Sequence, residues 1–319
     1  MGSEMCIRDS GSIDLYQRTT RDMVWEYNVP RPPYLYPTIL ANAGTMKNKG
    51  LEIRLSAIPV QTKNFQWVTT FNYSTNSNEV VSLSNNQFRV ESGYFYAGYL
   101  GNTIKQDTHI VKEGEQMGNF YGFKSIDVDE NGKWIIQGKD GNPKPIDQQQ
   151  QEDKMVLGNG LPKHFLSWDN TFTFKNFDLN LTMRGAFKYQ ILNTPRLYYE
   201  VPVSLAHGNL MATAYDPVFG KRPLNDHQEL QYVSYYIENG DFWKIDNITI
   251  GYTLMLKDSF LKKVRVYATA NNLCTITGYS GIDPEVNTQG LDPGVDPLNR
   301  YPSTRSFTSV SYTHLTLPT

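Results

Sequence analysis

Phe177-Asp178-Leu179-Asn180-Leu181-Thr182-Met183-Arg184 carries an apolar side chain at every odd position and a polar one at every even position. Successive side chains of an extended chain point to opposite faces, so this stretch predicts a strand with one greasy face and one hydrated face. The pattern returns in Asn247-Ile248-Thr249-Ile250-Gly251-Tyr252-Thr253-Leu254 and in Val264-Arg265-Val266-Tyr267-Ala268-Thr269-Ala270-Asn271. Less regular versions occupy residues 11–21, 48–58, 65–74 and 164–174, with a stub at 305–308. The count is about eight strands, and no apolar repeat at helical spacing competes with them. Several reach the ~9–11 residues that cross a bilayer as tilted β-strands, whereas strands of soluble sheets usually stop at ~5–6.

The connections separate a soluble sheet from a membrane barrel. In chain order they span 22–47, 59–64, 76–163, 175–176, 190–240, 257–263 and 278–304, alternating strictly between long and short. Every tight turn then lies on one rim and every long loop on the other, as in outer-membrane barrels with short periplasmic turns and long extracellular loops. A soluble sandwich has no reason to keep that parity, and structureless loops of such length argue against a compact domain. Trp67, Tyr73, Trp168, Tyr189, Trp243 and Tyr267 fall near predicted strand ends, where a barrel carries aromatic girdles, although each ring taken singly is more often plain packing. The expected fold class is all-β: an antiparallel transmembrane β-barrel, present in part. The alternative is a secreted all-β carbohydrate-binding module. The discriminator is whether the Leu179/Leu181/Met183 and Ile248/Ile250/Tyr252 faces point out to lipid or into a shared core.

Composition narrows the partners. A formal charge of −2 over 319 residues points neither to nucleic acid nor to an anionic membrane surface. The two cysteines, Cys6 and Cys274, give no disulfide framework, because Cys6 lies in a segment that is not read as native protein. No apolar run approaches the ~18 residues of a membrane helix.

Met5-Cys6-Ile7-Arg8-Asp9 can be encoded as ATG TGT ATA AGA GAC, and the reverse complement, GTC TCT TAT ACA CAT, encodes Val310-Ser311-Tyr312-Thr313-His314. The string is also that of the transposase end of sequencing-library adapters. Residues 1–10 and 310–319 are therefore read as translated adapter flanking a native segment at 11–309. Such ends were never selected to match a sheet, so they are expected to make few native-like contacts, although Tyr312 and Leu315 can still be recruited into strand pairing, since an alternating stub beside an open edge can be held by ladder hydrogen bonds alone.

Within the native segment, Asn42-Ala-Gly-Thr-Met-Lys-Asn-Lys-Gly-Leu-Glu-Ile53 resembles the N-x-G-x-x-x-N-K-G-x-E strand opening of the SusC/RagA family of TonB-dependent outer-membrane transporters. Further matches, in the family's order, are Gly118-Asn-Phe-Tyr-Gly-Phe123, Val156-Leu-Gly-Asn159 with Pro162, Asn176-Phe-Asp-Leu179, Phe242-Trp-Lys-Ile-Asp-Asn-Ile-Thr-Ile-Gly-Tyr-Thr-Leu254, Val264-Arg-Val-Tyr267, and Asn271-Asn-Leu-Cys-Thr-Ile-Thr-Gly-Tyr-Ser-Gly-Ile-Asp-Pro-Glu285. The resemblance implies the last third of a 22-stranded plugged barrel in the outer membrane of a Bacteroidetes-type bacterium. It also implies import of oligosaccharides or peptides, a SusD-like surface lipoprotein as lid, and energy delivered by the TonB complex through a missing N-terminal part. Two departures stand out: Cys274 occupies a position where the family usually has an aromatic, and the final strand leaves the pattern after Ser306-Phe307-Thr308.

Tyr94-Phe95-Tyr96 and Tyr99, in the longest extracellular loop, are the candidate ligand contacts, because aromatic faces stack on sugars or hold peptide side chains. The other use of these rings is to pack the loop against the barrel wall or the lid. Asp127-x-Asp129-x-Asn131-Gly132 matches the opening of a calcium loop but has Gly138 where the bidentate Glu belongs, and Asn131-Gly132 reads equally as a type I′ hairpin turn. Asp283, Glu285, Asp292 and Asp296 could pair as a glycosidase's carboxylates do, but Asp-Pro steps are ordinary turn chemistry. His109, His164, His207 and His227 have no metal-ligand spacing, and no catalytic signature is present, so no enzyme, cofactor or metal is expected. The nucleotide record checks the adapter reading directly. The expected outcome is ATG TGT ATA AGA GAC at Met5 to Asp9 and divergence of genomic reads at both junctions; reads that continue through both with this sequence would make the ends real protein.

Overall fold

The computed structural model describes residues 9–29, 31–86, 89–101, 103–206, 208–256 and 261–315. Residues 1–8 and 316–319 of the expected adapter stretches, His207, and residues 257–260 of the expected short turn lie outside the described residues. Eight strands form one antiparallel sheet: β1 (Asp9–Asn28), β2 (Thr38–Gln61), β3 (Phe65–Ser82), β4 (His164–Phe174), β5 (Phe177–Phe187), β6 (Phe242–Met255), β7 (Leu261–Thr277) and β8 (Ser306–Leu315). Each strand pairs with its neighbours in sequence. The long and short connections therefore sort onto opposite rims, as their lengths demand. The strands run to 20, 24, 18, 11, 11, 14, 17 and 10 residues, beyond the soluble norm and long enough to cross a bilayer.

Two connections are shorter than the sequence reading. The β1–β2 hairpin continues to Asn28 opposite Thr38, leaving a loop of residues 29–37 instead of 22–47, and β3 continues to Ser82. A bulge between Thr20 and Val24, with Asp22 at φ 55, shifts the register there and erases the period-two signal.

Register assigns the faces. Leu179 lies opposite Phe172 and Ile250, and Leu181 opposite Ile248, so the apolar positions of successive strands share one face. Their alternates include Arg54 opposite Asn72, Asn72 opposite Ser167, and Ser167 opposite Arg184 on the other. On the apolar face Leu15, Ile250 and Phe177 are 79%, 55% and 53% exposed, and no residue of the Leu179/Leu181/Met183 or Ile248/Ile250/Tyr252 rows belongs to a buried cluster among the described residues. The polar face is covered in part by the chain's own last long loop, where Glu285 reaches Arg184 and Lys244, while Asp14, Glu52 and Arg54 stay exposed. An uncovered apolar face backed by a partly roofed polar face is a barrel wall; a two-sheet module would bury the apolar rows in a shared core.

Aromatics gather at two levels of the outer face. Near the short turns Trp67 stacks on Phe172 and Phe177 leans on Tyr252, at 5.7 and 4.6 Å between ring centroids. Near the long loops Tyr73 stacks on His164 and Phe187 on Trp243, at 5.8 and 6.3 Å. The two levels lie about eight to ten residue steps apart along β4, from His164 to Phe172 and to Phe174 opposite Phe177, ~26–33 Å of strand, or ~20–25 Å of depth at a ~40° tilt, close to the height of a barrel's apolar band. Asn170, between them, is buried on this face. Its Oδ1 accepts from Trp67 Nε1 at 3.0 Å and from Thr69 Oγ1 at 2.9 Å, while Trp168 Nε1 donates to Thr69 Oγ1 at 2.8 Å. Polar atoms facing hydrocarbon must find partners on the protein itself, and this set does so.

The glycines of the 42–53 motif have a packing role. A Cβ on Gly44 would sit 1.4 Å from Trp25 Nε1, and one on Gly50 would sit 2.2 Å from the Tyr16 ring. Only a missing side chain lets these rings lie across the neighbouring strand.

The deep core lies in the long loops. Residues 94–159 build a four-stranded sheet (Tyr94–Tyr99, Asp107–Lys112, Asn119–Gly122, Met155–Asn159) and a three-stranded one (Ser125–Val128, Trp134–Gln137, Pro143–Pro145). Trp134, Phe120, Ile136, Tyr232, Tyr236 and Leu197 close the main apolar cluster, each essentially fully buried. The loops are thus structured domains on the rim, and they satisfy their own backbone through these ladders.

At the chain ends β1 pairs from Asp9, and β8 runs to Leu315 with Tyr312 opposite Arg265 and Leu315 opposite Leu261, so the ends join the ladder where few contacts were expected, held by the open edge. Phe307 shares the outer face with Ala270, but Ser309, Ser311 and Thr313 follow it there while Val310 and Tyr312 face the polar side. The hydropathy phase inverts at Val310. Because β1 and β8 each leave one edge unpaired and the outer face stays apolar, residues 11–309 expressed alone without detergent are expected to aggregate. Size-exclusion chromatography with thermal denaturation checks this; a soluble monomer with a cooperative melt would contradict it.

Candidate functional site

Residues 278–305, the last long connection, fold inward over the polar face and tie the molecule together. Glu285 reaches the wall between two cations: its Oε1 accepts from Arg184 on β5 and its Oε2 from Lys244 on β6. Arg184 also pairs with Asp246 at 3.2 Å. Arg300 donates to the carbonyls of Asp283 and Glu285 and lies 3.9 and 3.7 Å from the carboxylates of Asp283 and Asp296. Val286 packs into an inward cluster with Ala186, Tyr189, Phe242 and Tyr279, and Tyr189 Oη donates to the Pro284 carbonyl at 2.8 Å. Val295 and Asp296 pair in parallel with Leu192 and Asn193, which ties the same segment to the neighbouring loop. It acts as a strap across the mouth of the lumen.

The strap reaches the longest loop through His109. This ring is buried; Nε2 donates to the Pro293 carbonyl at 2.9 Å and Nδ1 meets Thr108 Oγ1 at 2.7 Å. Burial lowers its pKa to about 4, against the carbonyl contact, which favours the protonated form, so the ring is neutral and its single N–H faces Pro293. Asp283 is held below the ordinary carboxylate range: burial pushes it up, but the Ser303 hydroxyl, the Glu285 amide and Arg300 outweigh it. Asp283, Glu285 and Asp296 are therefore charge-paired structural anchors, while Asp292 makes no ion pair among the described residues. Asp283, Glu285 and Asp296 are brought together, yet around Arg300, Arg184 and Lys244, where no acid–base pair is free.

The aromatic candidates divide between two faces of one strand. Phe95 turns inward and meets Trp25 edge to face at 5.6 Å. Tyr94 and Tyr96 share the other face, 5.4 Å apart, and Tyr96 stacks on Tyr121 at 5.7 Å, extending the pair into a row of three rings. Burial first, with the neighbouring tyrosines, raises the pKa of Tyr96, whose Oη accepts from Gln151 Nε2 at 3.0 Å. Tyr99 is 57% exposed. Tyr121 went unnoticed in the sequence because it joins the row only through the pairing of distant strands.

Asp127–Gly132 forms a hairpin between Ser125–Val128 and Trp134–Gln137. The turn is closed by Gly132 N donating to the Asp129 carbonyl at 3.1 Å, with the positive φ of 73 at Gly132 and none at Asn131. That is a type I turn followed by a glycine bulge, not the expected type I′ turn, which needs both residues left-handed. Asp129 Oδ1 accepts the amides of Asn131 and Lys133, and Asp127 Oδ2 accepts from Lys221. No group of three metal-ligating side chains occurs among the described residues.

A cavity of about 670 Å³ opens on the inner wall below the strap, lined by Asp14, Glu52, Arg54, Asn72, Ser167, Arg184 and Glu285 among others. A smaller one of about 260 Å³ adjoins it. These side chains come from five wall strands and the strap, so no local sequence pattern could have grouped them.

A meander of long strands, girdled outside and strapped over a polar lumen, defines the wall of an outer-membrane β-barrel. No protein-family profile matches the chain. It is 30% identical over 94% of its length to the TonB-dependent receptor SusC of Bacteroides thetaiotaomicron, and 28% identical over 93% to the TonB-dependent receptor P3 of Formosa agariphila. It covers 29% and 31% of those proteins. The solved RagAB peptide transporter superposes on 96% of the chain with a TM-score of 0.75 at 21% identity, the chain matching 34% of that structure. In its open-open state the same importer gives 0.76. Over nearly its whole length the chain is similar to the SusC/RagA type of TonB-dependent receptor, outer-membrane proteins of Bacteroidetes, and it spans about a third of the length of these relatives.

Lys244 is almost wholly buried, with 2% of its side chain exposed, so removal of its anion leaves a buried charge unpaired. In the full-length barrel Glu285→Ala is expected to destabilise the strap by about 3 kcal/mol. Hydrogen exchange over residues 283–296 in detergent checks this; unchanged protection would show that the ion pairs do not hold the strap.

Proposed function

We propose that the whole protein imports oligosaccharides or peptides across the outer membrane, driven by the TonB complex and lidded by a SusD-like surface lipoprotein. The observation that carries this reading is the polar, strapped lumen inside an apolar, girdled wall, in a chain whose relatives are named TonB-dependent receptors. The solved neighbour is a peptide transporter and the relative at 30% identity bears the name SusC, so both cargo classes stay within the proposal. Transport, not catalysis, is the proposed activity: Asp283, Glu285 and Asp296 of the strap sit beside Arg300, Arg184 and Lys244, where they hold the strap. In the same reading residues 1–10 and 310–319 are adapter translation, supported by the phase inversion at Val310, and 11–309 is the receptor segment.

Tyr94, Tyr96 and Tyr99 are the proposed loop contacts for cargo, with Phe95 serving on the opposite face to seat the strand. The test is uptake of labelled oligosaccharides and peptides by a Bacteroidetes host expressing the full-length gene with its neighbouring lipoprotein. Uptake is expected to vanish on deletion of tonB. Tyr96→Ala is expected to weaken cargo binding about three- to tenfold, the ~0.5–1.5 kcal/mol of one aromatic contact. Uptake that survives loss of TonB overturns the reading; undiminished binding by Tyr96→Ala removes the loop tyrosines from it.

A further inference from the structure

We propose that Phe165 on β4 is a specificity-determining ring of the lumen, a platform on which a sugar ring of the cargo stacks. The proposal rests on the import reading above and adds a site to it.

Phe165 breaks the alternation that governs the wall. On β4 the odd positions face the lumen, and Phe165 stands there between Ser74 on β3 and Ala186 on β5, in a row with Ser167 and Asp169. Its neighbours on this face are small or polar, and the ring stays 43% exposed. The inward apolar cluster of Ala186, Tyr189, Phe242 and Val286 closes beneath the strap one residue away, yet Phe165 is not part of it. A large ring left half bare on a hydrated face forgoes part of the stabilisation its full burial would bring. Packing among the described residues gives no reason for a phenylalanine there.

The position supplies one. Phe165, Pro162 and Thr288 line both the larger and the smaller lumen cavity, so the ring stands where the two meet and forms the floor of one continuous groove. On one side are Asp14, Glu52 and Arg54, which make none of the wall's ion pairs among the described residues. On the other are Asn76 and Gln116, whose amide nitrogens donate to Tyr16 Oη at 2.9 Å and Ser77 Oγ at 3.2 Å, leaving both amide oxygens as acceptors without a protein partner among the described residues. The hydroxyls of Ser12, Ser74, Ser167 and Thr288 complete the lining.

This chemistry suits a sugar. A pyranose offers an apolar C–H face to an aromatic ring and, around its edge, hydroxyls that both donate and accept; amides, hydroxyls and carboxylates match that dual demand. An extended peptide gains most of its affinity by adding to a free strand edge. The groove is walled by strand faces, and β2 to β6, which make most of it, are paired on both sides; only β1, at its far side, keeps an open edge.

The experiment uses the full-length protein with its lipoprotein partner in a Bacteroidetes host, offered a mixture of plant, algal and starch oligosaccharides together with a protein digest. Depletion of each component from the medium is followed by mass spectrometry. Wild type is expected to deplete at least one glycan in a TonB-dependent way, Phe165→Ala to slow that depletion about tenfold, and Phe165→Tyr, which keeps the ring, to preserve it. Surface level and the heat-modifiable gel shift of the folded barrel report folding. A wild type that depletes peptides alone overturns the sugar platform while leaving import intact. Undiminished glycan uptake by Phe165→Ala, or equal loss in both variants with loss of folded barrel, also overturns it. A wild type that depletes nothing overturns the import reading with it.

Discussion

Hydrocarbon offers no hydrogen-bond partner, and most of this wall follows from that constraint. Each backbone N–H and C=O at membrane depth must be paired within the protein. The chain answers with eight strands joined only by nearest-neighbour hairpins, so that ladders form between segments already close in sequence. Side chains on the outer face obey the same rule. The row of leucines, isoleucines and aromatics has nothing to satisfy, and the one buried amide among them, Asn170, is served by Trp67 and Thr69.

The inner face answers to water and to the loops. Charges that would be intolerable outside are concentrated there, and the largest set is used mechanically: Arg184 and Lys244 grip Glu285 and hold residues 278–305 across the mouth. The long loops could not do this as flexible coils. They fold into small sheets around a core of Trp134, Phe120 and Tyr232, and buried hydrogen bonds such as His109 to Pro293 join them to the strap. The wall fixes where the loops emerge, and the loops decide what the lumen exposes.

The outer wall was written plainly in residues 177–184 and 247–254, because a surface that meets lipid on one side and a polar lumen on the other leaves a period-two imprint on every strand. The imprint failed at β1 and β2 above Thr20, where a bulge shifts the register and Trp25, Ala41 and Ala43 turn into a loop core. The turn at 129–132 was legible as a turn and misread in type, since Asn-Gly serves either conformation and the flanking pairing chooses. Tyr94, Tyr96 and Tyr99 could be named as exposed rings of a long loop, but their sorting from Phe95, and the addition of Tyr121, needed the partner strands.

Sequence alone determined the strand count, which face of each strand is apolar, the parity of the loops and the family resemblance, since each is a local pattern repeated along the chain. Only the tertiary structure decided which residues meet across it: that Glu285 lies between Arg184 and Lys244, 101 and 41 residues away in the chain, was invisible to any spacing. The same holds for Phe165, which reads in sequence as one more strand aromatic and becomes a bare ring in a polar groove once Ser74 and Ala186 are set beside it. Alternation is a property of one strand in its solvent, whereas a site is a property of strands in register, and register is fixed by hydrogen bonds and packing that close over the whole sheet.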